Sequence, residues 1–204
     1  MTPSLPVNKN VYIVDDDIEI RESLARFLKR HGFQVHTFAS ATDYLHNLDQ
    51  ASIGCLVSDI DMPEMTGLQL QRKLNDLQCV KPTIFITGHG NVNMAVEAMK
   101  IGAFDFIEKP FDPDLLMAKI NLAIGEYQHK IQVLSHYQEL TKKELEVCAC
   151  VVKGMKNREI SETLFMSVPT VEAHRSKVMK KMQANSLPEL VKMLVLIDPN
   201  YQKM

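Results

Sequence analysis

No apolar run in the 204 residues approaches the roughly 18–20 positions needed to cross a bilayer, which argues against a membrane-spanning segment. The opening MTPSLPVNKN lacks the basic-then-apolar layout of a secretory signal, so a soluble cytoplasmic chain with no membrane association is expected. Cysteine is scarce, with four in the chain, too few to suggest a disulfide framework at this length. Cys55 lies in an apolar run, and Cys148 and Cys150 lie two apart in a helical stretch, a spacing that faces two side chains away from each other. They read as small hydrophobes in a reducing compartment. Disorder is excluded too, because 46% apolar and 24% charged residues are ordinary globular values.

The net charge of -2 conceals two halves. Residues 1–125 carry 11 Lys+Arg against 16 Asp+Glu, and residues 126–204 carry 12 against 9. An acidic first half and a mildly basic second half imply two units with different partners. The patterning agrees. VYIV (11–14), FQVHTF (33–38), CLVS (55–58), TIFIT (83–87) and FDFI (104–107) read as strands, each bounded by turn formers. Apolar residues recur at helical spacing between them, as in Ile20/Leu24/Phe27/Leu28 and Leu68/Leu70/Leu74. Strands alternating with helices predict a doubly wound, five-stranded parallel sheet of the α/β class, with ligands gathering beyond the carboxyl ends of the strands.

After Pro113 a heptad-like stripe runs through Leu116, Ile120, Ile124, Tyr127, Ile131 and Leu134. Two readings stay open: a last domain helix followed by an ordinary linker, or one long linker helix whose outer part pairs with another chain. The last 64 residues hold four helical segments and no strand pattern, which predicts a small all-α domain. The organisation expected is 1–125, a linker helix over 126–140, and 141–204.

The informative residues of the first half fall just after strands. Asp15, Asp16 and Asp17 follow the first, Asp59 the third, Thr87 the fourth and Lys109 the fifth. In a parallel sheet these points meet at one edge. Crowded carboxylates call for a hard divalent cation, and Mg²⁺ suits oxygen ligands. Asp59 can then attack phosphorus as a carboxylate nucleophile, with Mg²⁺, Lys109 and the Thr87 hydroxyl each neutralising or bonding an equatorial oxygen. A lone Asp or Lys at a strand end is an ordinary turn residue or solvated charge; four in register carry the argument. CLVSDIDM also matches the strand-then-DxD opening of haloacid-dehalogenase-type phosphatases, which would make Asp61 a general acid. That reading leaves Asp15, Asp16 and the Met62-Pro63…Gly67 turn without a role.

In the second half, Asn157 is placed to cap REISETLF, and Ser167 to cap the following helix with Pro169 in its first turn. On that helix Val171, His174, Val178 and Met182 share one face. Glu172, Ala173, Ser176, Lys177 and Lys180 share another, with Arg175 at the margin. An apolar back with a small, polar, cationic front suits a major groove. The plainer reading of such a front is a solvated face.

The motifs VDDD, DIDMPEMTG, ITGHG and DFIEKPF resemble the receiver domain of bacterial response regulators over residues 10–125. Residues 137–198 resemble the LuxR-type (NarL/FixJ-type) helix-turn-helix output domain. The resemblance implies a two-component transcription regulator, not a turnover enzyme. Asp59 would accept a phosphoryl group from a sensor histidine kinase. Asp16, Asp59 and the backbone carbonyl of Asp61 would hold Mg²⁺, with Asp15 acting through a water. Thr87 and Phe106 would be the switch pair, and Lys109–Pro110 a cis peptide. It makes 157–164 the positioning helix, about 168–182 the recognition helix, and 187–197 a carrier of dimer contacts. The DNA-contacting set is then Asn157, Thr170, Glu172, Ala173, Arg175, Ser176, Lys177 and Lys180. His174 lies on the inner face and reads as structural. The FixJ-like branch further implies dimerisation on phosphorylation through Val92 to Ile101 and Phe104 to Ile107, binding to double-stranded promoter DNA, and a possible contact with RNA polymerase. A receiver whose helical tail serves only as a protein-interaction module is the alternative from another class. The Asp61 side chain either faces solvent or enters the pocket.

Overall fold

The computed structural model describes residues 9–50, 52–79, 81–88 and 92–198. His89 and Gly90 of the ITGHG motif, and Asn91 after them, lie outside the described residues. Five strands, β1 (Asn10–Val14), β2 (Gln34–Phe38), β3 (Gly54–Asp59), β4 (Thr83–Thr87) and β5 (Asp105–Glu108), pair in parallel in the order β2-β1-β3-β4-β5. Helices α1 (Ile18–Arg30), α2 (Ala41–His46), α3 (Gly67–Asp76) and α4 (Val92–Lys100) alternate with them. The three central strands are buried from end to end, which is why they read as apolar runs without polar alternation.

Side chains leave the sheet on both faces, and each face has its own core. Val11, Ile13, Cys55, Val57, Ile84 and Ile86 pack with Leu24 and Leu28 of α1 and with Leu116, Ile120 and Ile124. On the other face Tyr12, Val14 and Leu56 pack with Tyr44 of α2 and with Leu70 and Leu74 of α3. A smaller cluster of Ile60, Phe85, Ala98 and Ala103 lies beneath α4. Two close approaches fix glycine: a Cβ at Gly67 would stand 2.3 Å from the carbonyl oxygen of Asp59, and one at Gly54 would stand 2.7 Å from that of Asn10.

Helix α5 runs unbroken from Pro113 to Gln138, so the long-helix reading holds over those residues. Its heptad-like stripe does not stay one seam. Leu116, Ile120 and Ile124 are buried in the first core, whereas farther along it is Val133 that is buried, and Leu134 is exposed. The chain divides into two units, Met1–Tyr127 and Gln128–Met204. The second contains α6 (Lys142–Val152), α7 (Asn157–Leu164), α8 (Val168–Lys181) and α9 (Leu187–Ile197). Val147, Val151, Ile160, Val171, Val178, Met182, Leu190 and Leu194 form its core. Among the described residues no helix is long and apolar enough to cross a membrane, and all four cysteines are free.

Candidate phosphoacceptor pocket and nucleic-acid interface

Parallel pairing brings the ends of β1, β3, β4 and β5 to one edge. The registers Val14↔Ser58, Asp59↔Ile86 and Thr87↔Glu108 leave Asp15, Asp59, Thr87 and Lys109 as neighbours. The Lys109 ammonium stands 2.6 Å from Asp59 Oδ1 and 2.9 Å from Asp15 Oδ2, tying together residues 50 and 94 positions distant. Lys109–Pro110 is cis, as expected. Asp15 is fully buried, and its Oδ1 accepts from the Asp17 amide at 2.9 Å. Asp17 in turn caps α1 through the amides of Glu19 and Ile20, so three consecutive aspartates divide into pocket, rim and cap. Asp16 is exposed.

The carboxylates outnumber the cations here. Burial drives the Asp59 carboxyl above its usual pKa, and Asp15 adds to that, although the Lys109 ammonium and the Asp61 amide act in the opposite direction. For Lys109 burial pulls the pKa down, but the hydrogen bonds to Asp59 and Asp15 prevail, and the ammonium is held above its ordinary value. Among the described residues no three His, Cys, Asp or Glu side chains converge as a ligand group. Asp16, Asp59 and the Asp61 carbonyl each offer oxygen, the donor type that a hard divalent ion takes.

Of the two directions open to the Asp61 side chain, one is taken, and Phe106 has a definite packing. The Asp61 carboxylate accepts a hydrogen bond from the Thr87 hydroxyl at 2.9 Å, so the side chain enters the pocket's edge instead of facing only solvent. Phe106, one strand away, packs against the Ile60/Phe85/Ala98/Ala103 cluster. Beside Lys109 a groove of about 600 Å³ is lined by Glu19, Ile20, Ser23, Leu24, Pro110 and Phe111.

In the second unit Ser167 caps α8 through the Thr170 amide, with Pro169 in the first turn, as expected. Val171, Val178 and Met182 face the core, and Glu172, Ala173, Ser176, Lys177 and Lys180 are exposed. Asn157 is not the cap of α7. Lys156 occupies that position, and the Glu159 carboxylate, three residues on, accepts its amide at 2.7 Å. Asn157, now the first helical residue, donates to Glu172 at 3.3 Å and accepts from Arg175 at 3.0 Å, clamping α7 to α8. Thr170 is exposed, with its hydroxyl 2.7 Å from that of Ser167. His174 is partly buried. Glu144 is a further residue without an earlier role: nearly buried, it bonds Lys181 at 2.7 Å and the Thr141 amide at 2.8 Å. The hydrogen bond to Lys181 holds its carboxyl down to about 2. The signal for Glu144 was present as a capping box, T-x-x-E, at the start of α6.

A five-stranded 2-1-3-4-5 sheet with acids and a lysine at its carboxyl edge, joined to a helix-turn-helix unit, is the architecture of a receiver followed by a DNA-binding domain. Residues 11–121 match the response regulator receiver domain family, and residues 138–194 match the bacterial regulatory proteins of the luxR family. The chain belongs to the NarL/FixJ family of response regulators: it is a two-component response regulator with a receiver and a LuxR-type DNA-binding domain that regulates transcription. It is 43% identical to the transcriptional regulatory protein FixJ of Rhizobium meliloti over 190 residues, covering 90% of this chain and 93% of that one. It is 41% identical to the response regulator protein TmoT of Ectopseudomonas mendocina, covering 89% and 86%. Among solved structures, full-length FixJ from B. japonicum aligns with a TM-score of 0.55 at 38% identity over 93% of this chain and 97% of that one. The phosphatase reading of CLVSDIDM is set aside by this membership, since the chain is a transcription factor and not a turnover enzyme.

Proposed function

We propose that Asp59 accepts a phosphoryl group from the phosphohistidine of a sensor histidine kinase, and that this controls promoter binding through α8. The observation that carries the reading is the bridge of Lys109 between Asp15 and Asp59, which gathers separate strand ends around one nucleophile. The Asp59 carboxylate oxygen attacks phosphorus, and the phosphorus–nitrogen bond to histidine breaks. Lys109 lies within reach of the charge that develops on the equatorial oxygens, and the Thr87 hydroxyl can bond another. Mg²⁺, held by Asp16, Asp59 and the Asp61 carbonyl with Asp15 acting through a water, would supply charge neutralisation there when bound.

Thr87 and Phe106 then act as the switch pair, and α4 with β5 forms the surface on which two copies meet. Val92, Val96 and Met99 are exposed along α4, an apolar row that supports this assignment. Two output units reach two half-sites together, and linkage raises avidity. We assign 1–125 to the receiver, 126–140 to the linker and 141–204 to the output domain, with α9 carrying dimer contacts. Ala173 and Ser176 allow close approach to base edges. Lys177 and Lys180 neutralise phosphates, and Asn157, Thr170, Glu172 and Arg175 complete the contacts. The partners are thus a sensor kinase, double-stranded promoter DNA and a second copy, all in the cytoplasm. A gel shift on genomic fragments with and without a small phosphodonor tests the reading. Donor-dependent retardation by the parent and none by Asp59→Asn is expected; equal retardation by both refutes it.

A further inference from the structure

We propose that Asp61 is a built-in stand-in for the phosphoryl group, holding the Thr87 hydroxyl toward the pocket until a phosphoryl group on Asp59 displaces it. The inference rests on the reading of Thr87 as the switch hydroxyl, and it concerns what that hydroxyl does before phosphorylation. A threonine hydroxyl has one hydrogen to donate. Thr87 is fully buried at the end of β4, and its hydroxyl donates to Asp61 Oδ2 at 2.9 Å. Asp61 follows Asp59 by two residues, and its backbone amide acts to lower the pKa of that carboxyl, so the residue that receives the hydroxyl sits beside the phosphoacceptor. Phe106 packs against the Ile60/Phe85/Ala98/Ala103 cluster in the same structure.

The same geometry makes the bond replaceable. Asp61 is exposed, so its side chain can turn into water, whereas Thr87 cannot. A phosphoryl group brings about -1.5 to -2 charges beside that carboxylate and offers stronger acceptor oxygens. One donor with two successive anionic acceptors is an exchange. Asp61 raises the share of the switched arrangement in the unmodified chain and competes with the phosphoryl group afterwards, which narrows the difference between off and on. Asp61 is in this sense a positioning residue, acting through Thr87.

The test uses the full chain carrying methyl-labelled threonine, with the Thr87 side-chain rotamer read by NMR in the parent, Asp61→Ala and Asp61→Asn. Each is measured alone and then with Mg²⁺ and beryllofluoride as the phosphoryl substitute. Alone, the parent and Asp61→Asn keep Thr87 in one rotamer, because the asparagine carbonyl still accepts. In Asp61→Ala the odds of that rotamer fall about tenfold, the factor expected for losing one charge-assisted hydrogen bond open to water. Beryllofluoride restores the single rotamer in Asp61→Ala. A single Thr87 rotamer in Asp61→Ala before any addition overturns the proposal, as does an Asp61→Asn that behaves like the alanine variant. Failure of beryllofluoride to order Thr87 in Asp61→Ala overturns instead the switch reading on which it stands.

Discussion

Replacing Asp59 by asparagine should stabilise the first unit even though it removes the nucleophile. The side chain is nearly buried beside Asp15, with one ammonium shared between two carboxylates. Burial is the largest influence on Asp59 and raises its pKa from 3.8 despite Lys109. A group whose pKa is higher in the folded state contributes stability at low pH and loses it as pH rises through that value. The parent therefore carries a cost at neutral pH that asparagine, of the same shape and without charge, does not. Lys109 keeps Asp15 at 2.9 Å in the variant, so no unpaired ammonium is left behind. Relief of a destabilised functional group is worth about 1–2 kcal/mol, or roughly 3–6 °C for a unit of this size. The assay is calorimetry of both proteins in chelator, from pH 4 to pH 8. The gap between variant and parent should open as pH rises and close toward acid. Mg²⁺ at about ten times its dissociation constant should return about 1.4 kcal/mol to the parent alone. A variant no more stable than the parent at pH 8 without metal would refute the electrostatic description of the pocket.

Glu144, bonded to Lys181 and held down to about 2, stabilises the second unit above the ordinary glutamate range and loses that contribution as pH falls from about 4.5 toward 2. Glu144→Gln should cost about 2 kcal/mol at pH 7 and flatten this acid dependence in circular dichroism melts. Phe165 holds a left-handed backbone (φ 53°) at 97% exposure, so its ring stabilises nothing within the described residues. Phe165→Gly should raise stability by about 0.5–1 kcal/mol in urea unfolding, the relieved strain less the added chain entropy of glycine. Lys177→Ala should weaken DNA binding on many sequences alike and reduce the slope of log affinity against log salt by about one; an unchanged slope removes Lys177 from the phosphate contacts.

The fold was legible because its signals are redundant. A buried parallel strand such as TIFIT can hardly be anything else when Gly, Pro and Asp punctuate its surroundings, and strand ends in a parallel sheet share an edge by construction. That geometry is why Asp15, Asp59, Thr87 and Lys109 could be grouped from spacing alone. What stayed hidden depends on side-chain direction. Whether Asp61 turns to Thr87 or to water is decided by loop geometry that no period encodes. Asn157 was misplaced by one residue because Lys156, a poor capping side chain, takes the cap position while Glu159 satisfies its amide from the third helical residue. The stripe on α5 looked like a single seam because 3.5 and 3.6 residues per turn drift apart by only about 20° per heptad. In the structure the buried position passes from the Ile124 row to Val133.

The account stands most directly on the chemistry of one carboxylate. Peptide mapping by mass spectrometry, after incubation of the full chain with Mg²⁺ and a small phosphodonor, should place a single acid-stable, base-labile phosphoryl group on the peptide containing Asp59, absent from Asp59→Asn. The same modification on another residue, or undiminished labelling of the variant, would contradict it.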